Sequence, residues 1–217
     1  MLASPAISRN QTLVEEIGNS VSHGLGLLLA ILALPMLVQN AVRNGPVSAV
    51  VGSAVFGGSV IALYLASVLY HATWHRRTKN VLRVVDHAAI YILIAGTYTP
   101  FTLGVLRGTW GWILFGLVWS MALLGVLFKT FAGMRFPRVS TLLYVAMGWV
   151  VLIAIQPLWQ RLPIGGWAWL LAGGLAYTFG VIFFALDARV RYCHCIWHLF
   201  VVVGTTCHFV AVLRYAY

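Results

Sequence analysis

The chain has 217 residues, 61% of them hydrophobic and 8% charged, with a mean hydropathy of +0.92; soluble domains run near a quarter charged, so this composition excludes one. A formal net charge of +10 would suit nucleic acid, but the cations stand in short stretches between apolar runs rather than across a soluble face. Nucleic acid is thereby excluded as a partner, and membrane topology is the reason left for the charge.

Residues 1–16 read as a short cytoplasmic N-terminal segment and residues 17–217 as one membrane domain. The segment carries Arg9, Glu15 and Glu16 and lacks a cationic start followed by a small-residue cleavage site, so the first span is expected to be retained. Breaks at Gly, Pro and charged residues then divide the chain into spans near Ile17–Val42, Ser48–Ala72, Val81–Leu106, Trp110–Phe131, Val139–Leu158, Gly166–Leu186 and Tyr192–Tyr215. Each is long enough to cross a hydrocarbon core of about 30 Å as a helix, whereas barrel strands would be half as long and would alternate in polarity. The expected fold is all-α, a polytopic bundle of seven transmembrane helices.

Small residues at four-residue spacing, such as Ser53 and Gly57, or Ala172, Ala176 and Gly180, predict close helix packing. Pro35 and Pro100 interrupt the first and third spans and predict kinks there. Trp74, Trp110, Trp159 and Trp167 near span ends read as interfacial anchors. Cys193, Cys195 and Cys207 have no disulfide-framework spacing and read as free thiols.

Seven spans put Arg9, Arg76, Arg77, Lys79, Arg83, Lys129, Arg135, Arg138, Arg189 and Arg191 on one side, against Arg43, Arg107, Arg161 and Arg214 on the other. Cytoplasmic loops carry the excess of Lys and Arg, so the N-terminus is expected in the cytoplasm and the C-terminus outside it.

Ionisable groups within apolar spans are costly and point to function. His71 ends the second span, Asp86 and His87 open the third, and His194 and His198 open the seventh. Because the second span runs inward and the other two outward, all three motifs fall at the cytoplasmic boundary. His194 and His198, four apart, share one helix face about 6 Å apart along the axis, the spacing that offers two imidazoles to one metal ion. A helical histidine pair at a boundary also bonds to carbonyls or headgroups, and it is the third imidazole, His71, that favours metal.

Three histidines leave a fourth zinc position for water, as in catalytic rather than structural sites. Ser67, one turn before His71, and Asp86 are placed to hydrogen-bond that water or to orient a ligand. Imidazole also suits other transition ions. Cys193 and Cys195 project from other faces of the helix, and His87 lies about 100° around the helix from Asp86, so none of these is expected to face the ion. His75, in the basic loop, reads as solvated or near headgroups.

His208 shares the stripe of His194 and His198 but lies about 15 Å beyond His198; it reads as an interhelical hydrogen-bonding group, with cavity lining as the alternative. His23, beside Asn19, Ser20 and Ser22, reads equally as a group that supports a metal ligand or lines a cavity and as an interfacial residue.

The chain resembles the bacterial hemolysin III proteins within the progesterone and adipoQ receptor superfamily. The marks are Glu15 to Gly24, Ser67 to His71, Asp86 and His87 followed by Ala95 to Pro100, Ala146 to Trp149, and His194 and His198 with His208 after them. The resemblance implies seven helices, a cytoplasmic N-terminus, and zinc on His71, His194 and His198, with Asp86 close to the zinc-bound water and Ser67 nearby. It also implies lipid-amide hydrolysis of the ceramidase type in eukaryotic members, and haemolysis or membrane lipid and energy homeostasis in bacterial ones.

The leading expectation is a zinc-dependent intramembrane hydrolase of a lipid amide or ester in the bacterial inner membrane, with membrane lipids as partners. A non-enzymatic sensor or regulator with a structural zinc is the alternative, and a pore-forming hemolysin the second alternative.

Overall fold

The computed structural model describes residues 11–217. Eight helices follow in order: α1 Leu13–Asn44, α2 Val47–Ala72, α3 Arg76–Leu103, α4 Thr109–Ala132, α5 Pro137–Gly148, α6 Ile155–Arg161, α7 Ile164–Leu186 and α8 Cys193–Tyr215, with a 3₁₀ segment Val150–Ala154 between α5 and α6. Among the described residues there is no strand, and seven spans are long and apolar enough to cross a membrane, the fifth being α5 to α6 taken together. Chain neighbours α1 to α4 pack successively, α7 packs on α8, and α8 packs on α1. The α5–α6 span touches its neighbours sparsely.

The first helix begins at Leu13, one turn before the span start expected near Ile17; residues 1–10, with Arg9, lie outside the described residues. A capping box sets the start: Thr12 Oγ accepts from the Glu15 amide, while the Thr12 amide donates to Glu15 Oε2 at 2.9 Å. The third helix likewise starts at Arg76, over a turn before Val81, because no residue between them breaks a helix. It ends at Leu103, capped by Gly104, rather than running on to Leu106, and the Val105 amide bonds the Ala216 carbonyl. Both α1 and α3 run on through Pro35 and Pro100.

The fifth span is not the continuous helix expected over Val139–Leu158. Its ladder breaks after Gly148, where the Tyr98 hydroxyl of α3 inserts. That hydroxyl donates to the Gly148 carbonyl at 2.7 Å, lies 3.1 Å from the Met147 carbonyl, and accepts the Val151 amide at 3.0 Å. One phenol thus replaces the backbone bonds lost at the break, as apolar surroundings require. Pro157, which has no amide hydrogen, falls at the start of the following turn.

Small residues do bring helices together. A Cβ on Gly57 would meet Leu34 of α1, one on Gly180 would meet Trp197 of α8, and one on Gly52 would lie 2.8 Å from Pro100 Cα. Two cations are not loop charges: Lys129 is fully buried on α4 and Arg83 has its Nε buried on α3. Trp74, Trp110 and Trp159 are exposed, but Trp167 turns its indole nitrogen inward and is not a simple anchor. The three cysteines are free.

Because Gly52 abuts backbone rather than a yielding side chain, Gly52→Val is expected to lower stability by about 1–3 kcal/mol. Gly58→Ala, where nothing lies within 4 Å, is expected to be neutral or mildly stabilising. Thermal unfolding in detergent compares the two.

Candidate metal centre

Three histidines meet at the arginine-rich end of the bundle. His71 comes from the last turn of α2, and His194 and His198 from the first two turns of α8. Their rings lie 5.1 Å (His71 to His194), 5.1 Å (His71 to His198) and 4.7 Å (His194 to His198) apart, centroid to centroid. One nitrogen from each lies within 4.8 Å of the others, and all three residues are buried. Small ring rotations bring that spread to Zn–N distances of about 2.0–2.1 Å.

Each ring is held by its Nδ1. His71 Nδ1 lies 2.6 Å from Glu16 Oε2, His194 Nδ1 lies 2.8 Å from Asp187 Oδ2, and His198 Nδ1 lies 3.2 Å from the Asn19 carbonyl. A carbonyl only accepts, and an ionised carboxylate does too, so Nδ1 donates and Nε2 keeps its lone pair. His71 Nε2 is buried and has no hydrogen-bond partner. The chemistry of this donor set is therefore one that could hold a metal ion between His71, His194 and His198.

The oxygen acceptors are anchored in turn. Glu16 Oε1 also takes Lys79 Nζ at 2.9 Å, and that ammonium lies over the Tyr70 ring and near the Tyr70 and Thr73 carbonyls, closing the end of α2. Lys79 thus has a local task beyond topology. Ser22 Oγ donates to the Asn19 carbonyl at 2.9 Å and lies 3.2 Å from His198 Nδ1. Glu15 accepts the Tyr192 amide at 2.9 Å. Tyr192 stands just before α8 with φ of 64°, a left-handed conformation that a tyrosine rarely adopts, so Glu15 secures the turn from which His194 departs.

Among the remaining candidates, Asp86 is buried in the wall beside His194, with Ser67 approaching it. The Ser67 hydroxyl is fully buried and closes no hydrogen bond at standard geometry. His23 stacks on His198 with centroids 3.6 Å apart and planes 7° from parallel, so it is a buried neighbour of the centre rather than an interfacial residue. His87 turns its Nδ1 to the Arg83 carbonyl at 2.8 Å. His75 is exposed and lies 3.1 Å from the Thr78 hydroxyl. His208 donates from Nε2 to the Leu170 carbonyl of α7 at 3.3 Å, the interhelical bond expected of it.

Glu16 and Asp187 were not singled out as orienting groups by motif reading. A signal existed: the chain holds only four acidic residues, and Glu15, Glu16, Asp86 and Asp187 all lie at or beside this centre.

The centre opens onto a cavity of about 390 Å³ between the helices. His194, His198, His23 and Asp86 line one end and His208 and Trp167 line it further along, with mostly aliphatic and aromatic side chains between. That volume falls in the range of small-molecule sites.

A helical membrane bundle with a convergent three-histidine centre above an apolar cavity is the class that fold and site define. The sequence matches the Haemolysin-III related family over residues 11–209, and the chain belongs to that family. It is 45% identical to Hemolysin-3 of Bacillus cereus over 205 residues, 94% of this chain and 93% of that one. It is also 45% identical to the Hemolysin-3 homolog of Bacillus subtilis over 204 residues, 94% and 95% of the two chains. The human Monocyte to macrophage differentiation factor is 29% identical over 172 residues, 75% of this chain and 69% of its own.

Competition against a chromophoric chelator tests the geometry. Wild type is expected to hold one divalent ion per chain and His198→Ala to lose it. Glu16→Gln and Asp187→Asn are expected to keep the site with affinity lowered about 10–100-fold.

Proposed function

We propose that this protein is a zinc-dependent intramembrane hydrolase that cleaves a lipid amide or ester, with His71, His194 and His198 holding the ion. The carrying observation is that the cluster of three buried imidazoles opens, through His194 and His198, onto a largely apolar cavity that also has a buried carboxylate, Asp86, in its wall. When bound, zinc supplies Lewis acidity toward a carbonyl oxygen and a water acidified toward neutrality. Asp86 is the carboxylate placed to take a proton during hydrolysis and return it to the leaving group. Ser67, whose buried hydroxyl closes no hydrogen bond, is placed nearby to donate to that carboxylate as it changes charge. The cavity's aliphatic walls receive the hydrocarbon chain and keep bulk water from it.

The excess of cations beside this centre supports the reading that it faces the cytoplasm, with the N-terminus, in the bacterial inner membrane. Alkaline phosphatase fused after Tyr217 is expected to be active, since seven spans put that end outside; an inactive fusion reverses the orientation.

A second reading also has an observation behind it. The ligands join α2 to α8, yet those two helices pack on each other only sparsely, so a metal tying them would be purely structural. Zinc-loaded protein in lipid nanodiscs, offered a panel of N-acyl and O-acyl lipids, separates the two. Hydrolysis predicts release of free fatty acid, falling about a hundredfold or more in Asp86→Asn while zinc is retained. No release from any lipid, with chelation lowering the unfolding temperature, would leave zinc its structural role.

A further inference from the structure

The wall of the cavity away from the three histidines carries two polar atoms that the proposed hydrolysis does not use. His208 is 8% exposed and lines the cavity; its Nδ1 is buried with no partner. Trp167 lines the same cavity, and its Nε1 is likewise buried and unpartnered. The two residues are brought near each other by α7, because His208 Nε2 bonds the carbonyl of Leu170, one helical turn from Trp167.

Their hydrogen-bonding roles follow from that contact. A carbonyl accepts only, so Nε2 of His208 carries the hydrogen, and Nδ1 of the neutral ring is an acceptor. An indole nitrogen is a donor only. One acceptor and one donor at the same part of an apolar cavity are the two partners that a single hydroxyl group satisfies. Leaving both bare costs free energy for each buried atom, and nearby polar groups do not relieve them: the Tyr177 hydroxyl is engaged with Thr205 at 2.8 Å.

The arrangement is built by close approach. A Cβ on Gly173 would lie 2.5 Å from His208 Nε2, so glycine there is what lets the ring reach α7. The ring also packs on Tyr177 with centroids 5.5 Å apart. His208 follows His198 by ten positions on α8, which places it about 15 Å farther along the helix.

We propose that His208 Nδ1 and Trp167 Nε1 form a hydroxyl-recognition site, so that the hydrocarbon chain the cavity takes bears a hydroxyl about 15 Å from the group held at the three histidines. That the head end sits at the histidines rests on the hydrolase reading; the hydroxyl site itself stands on the two unpartnered atoms.

Purified, zinc-loaded protein with a bound fluorescent fatty acid provides the test. The competitors are ω-hydroxy fatty acids of graded chain length and the unsubstituted acids of the same lengths. Within a narrow window of lengths the hydroxylated acid is expected to compete about tenfold better than its plain counterpart, and outside it no better. Trp167→Phe and His208→Phe are each expected to weaken that preference, read as the ratio of hydroxylated to plain acid of the same length within each variant.

Equal competition at every length would overturn the proposal and mean that a trapped water satisfies the two atoms. A preference that survives Trp167→Phe would also overturn it, and neither that comparison nor the wild-type one depends on His208→Phe folding. The two readings fail separately: a length-dependent preference without fatty-acid release from lipid removes hydrolysis alone, and release without preference removes the hydroxyl site alone.

Discussion

A buried imidazole has two nitrogens to satisfy, and in an apolar bundle no water is at hand to satisfy either. This protein engages Nδ1 of each of three rings with an oxygen acceptor, which leaves Nε2 of each free of that bond, and one nitrogen of each ring lies within 4.8 Å of the others. The placement of several elements follows from that arrangement. Glu16 reaches His71 only if α1 begins at the right height, which the Thr12–Glu15 capping box sets. Asp187 reaches His194 only if the turn between α7 and α8 closes tightly, and the bond from the Tyr192 amide to Glu15 closes it. The acids therefore register four helices against one another as well as tuning the ligands.

The seven spans were legible in the sequence because apolar runs of this length leave no alternative, and the histidine triad was legible because helical spacing and span direction independently place His71, His194 and His198 at one end. What the apolar pattern could not reveal was local polar chemistry. The start of α1 is written in Thr12 and Glu15, a capping signal that hydropathy overlooks. The break in the fifth span depends on the Tyr98 hydroxyl, which lies about fifty residues away in sequence. Glu16 and Asp187 were hidden for another reason: they stand at span ends, where acids read as ordinary boundary charges. Their scarcity in the chain was the better clue.

That same break bears on the cavity. A continuous fifth helix would present an even wall, whereas the 3₁₀ segment carries its backbone on Tyr98, and Tyr98, Gly148, Trp149 and Val151 all line the hollow. Irregular backbone at membrane depth is tolerated where protein or a cavity covers it. Close packing is concentrated instead along α1 to α3 and α7 to α8, the helices that carry the histidines and their acceptors. The rigid side of the bundle holds the centre, and the loosely packed side leaves the room beneath it.

Asp86 weighs most in choosing between a metal that ties helices and one that does chemistry. A carboxylate in a membrane-spanning helix costs up to about 2.5–3.5 kcal/mol. Glu16 and Asp187 offset such a cost by holding ligand rings, and Glu15 by holding the turn at Tyr192. Asp86 makes none of these contacts: its nearest cationic candidate is His87, at 3.7 Å, and that ring already serves the Arg83 carbonyl. A structural tie between α2 and α8 would gain nothing from an acid on α3 facing a hollow. An acid that must exchange a proton with a guest in that hollow has to stand there, close to the three histidines and away from a permanent partner.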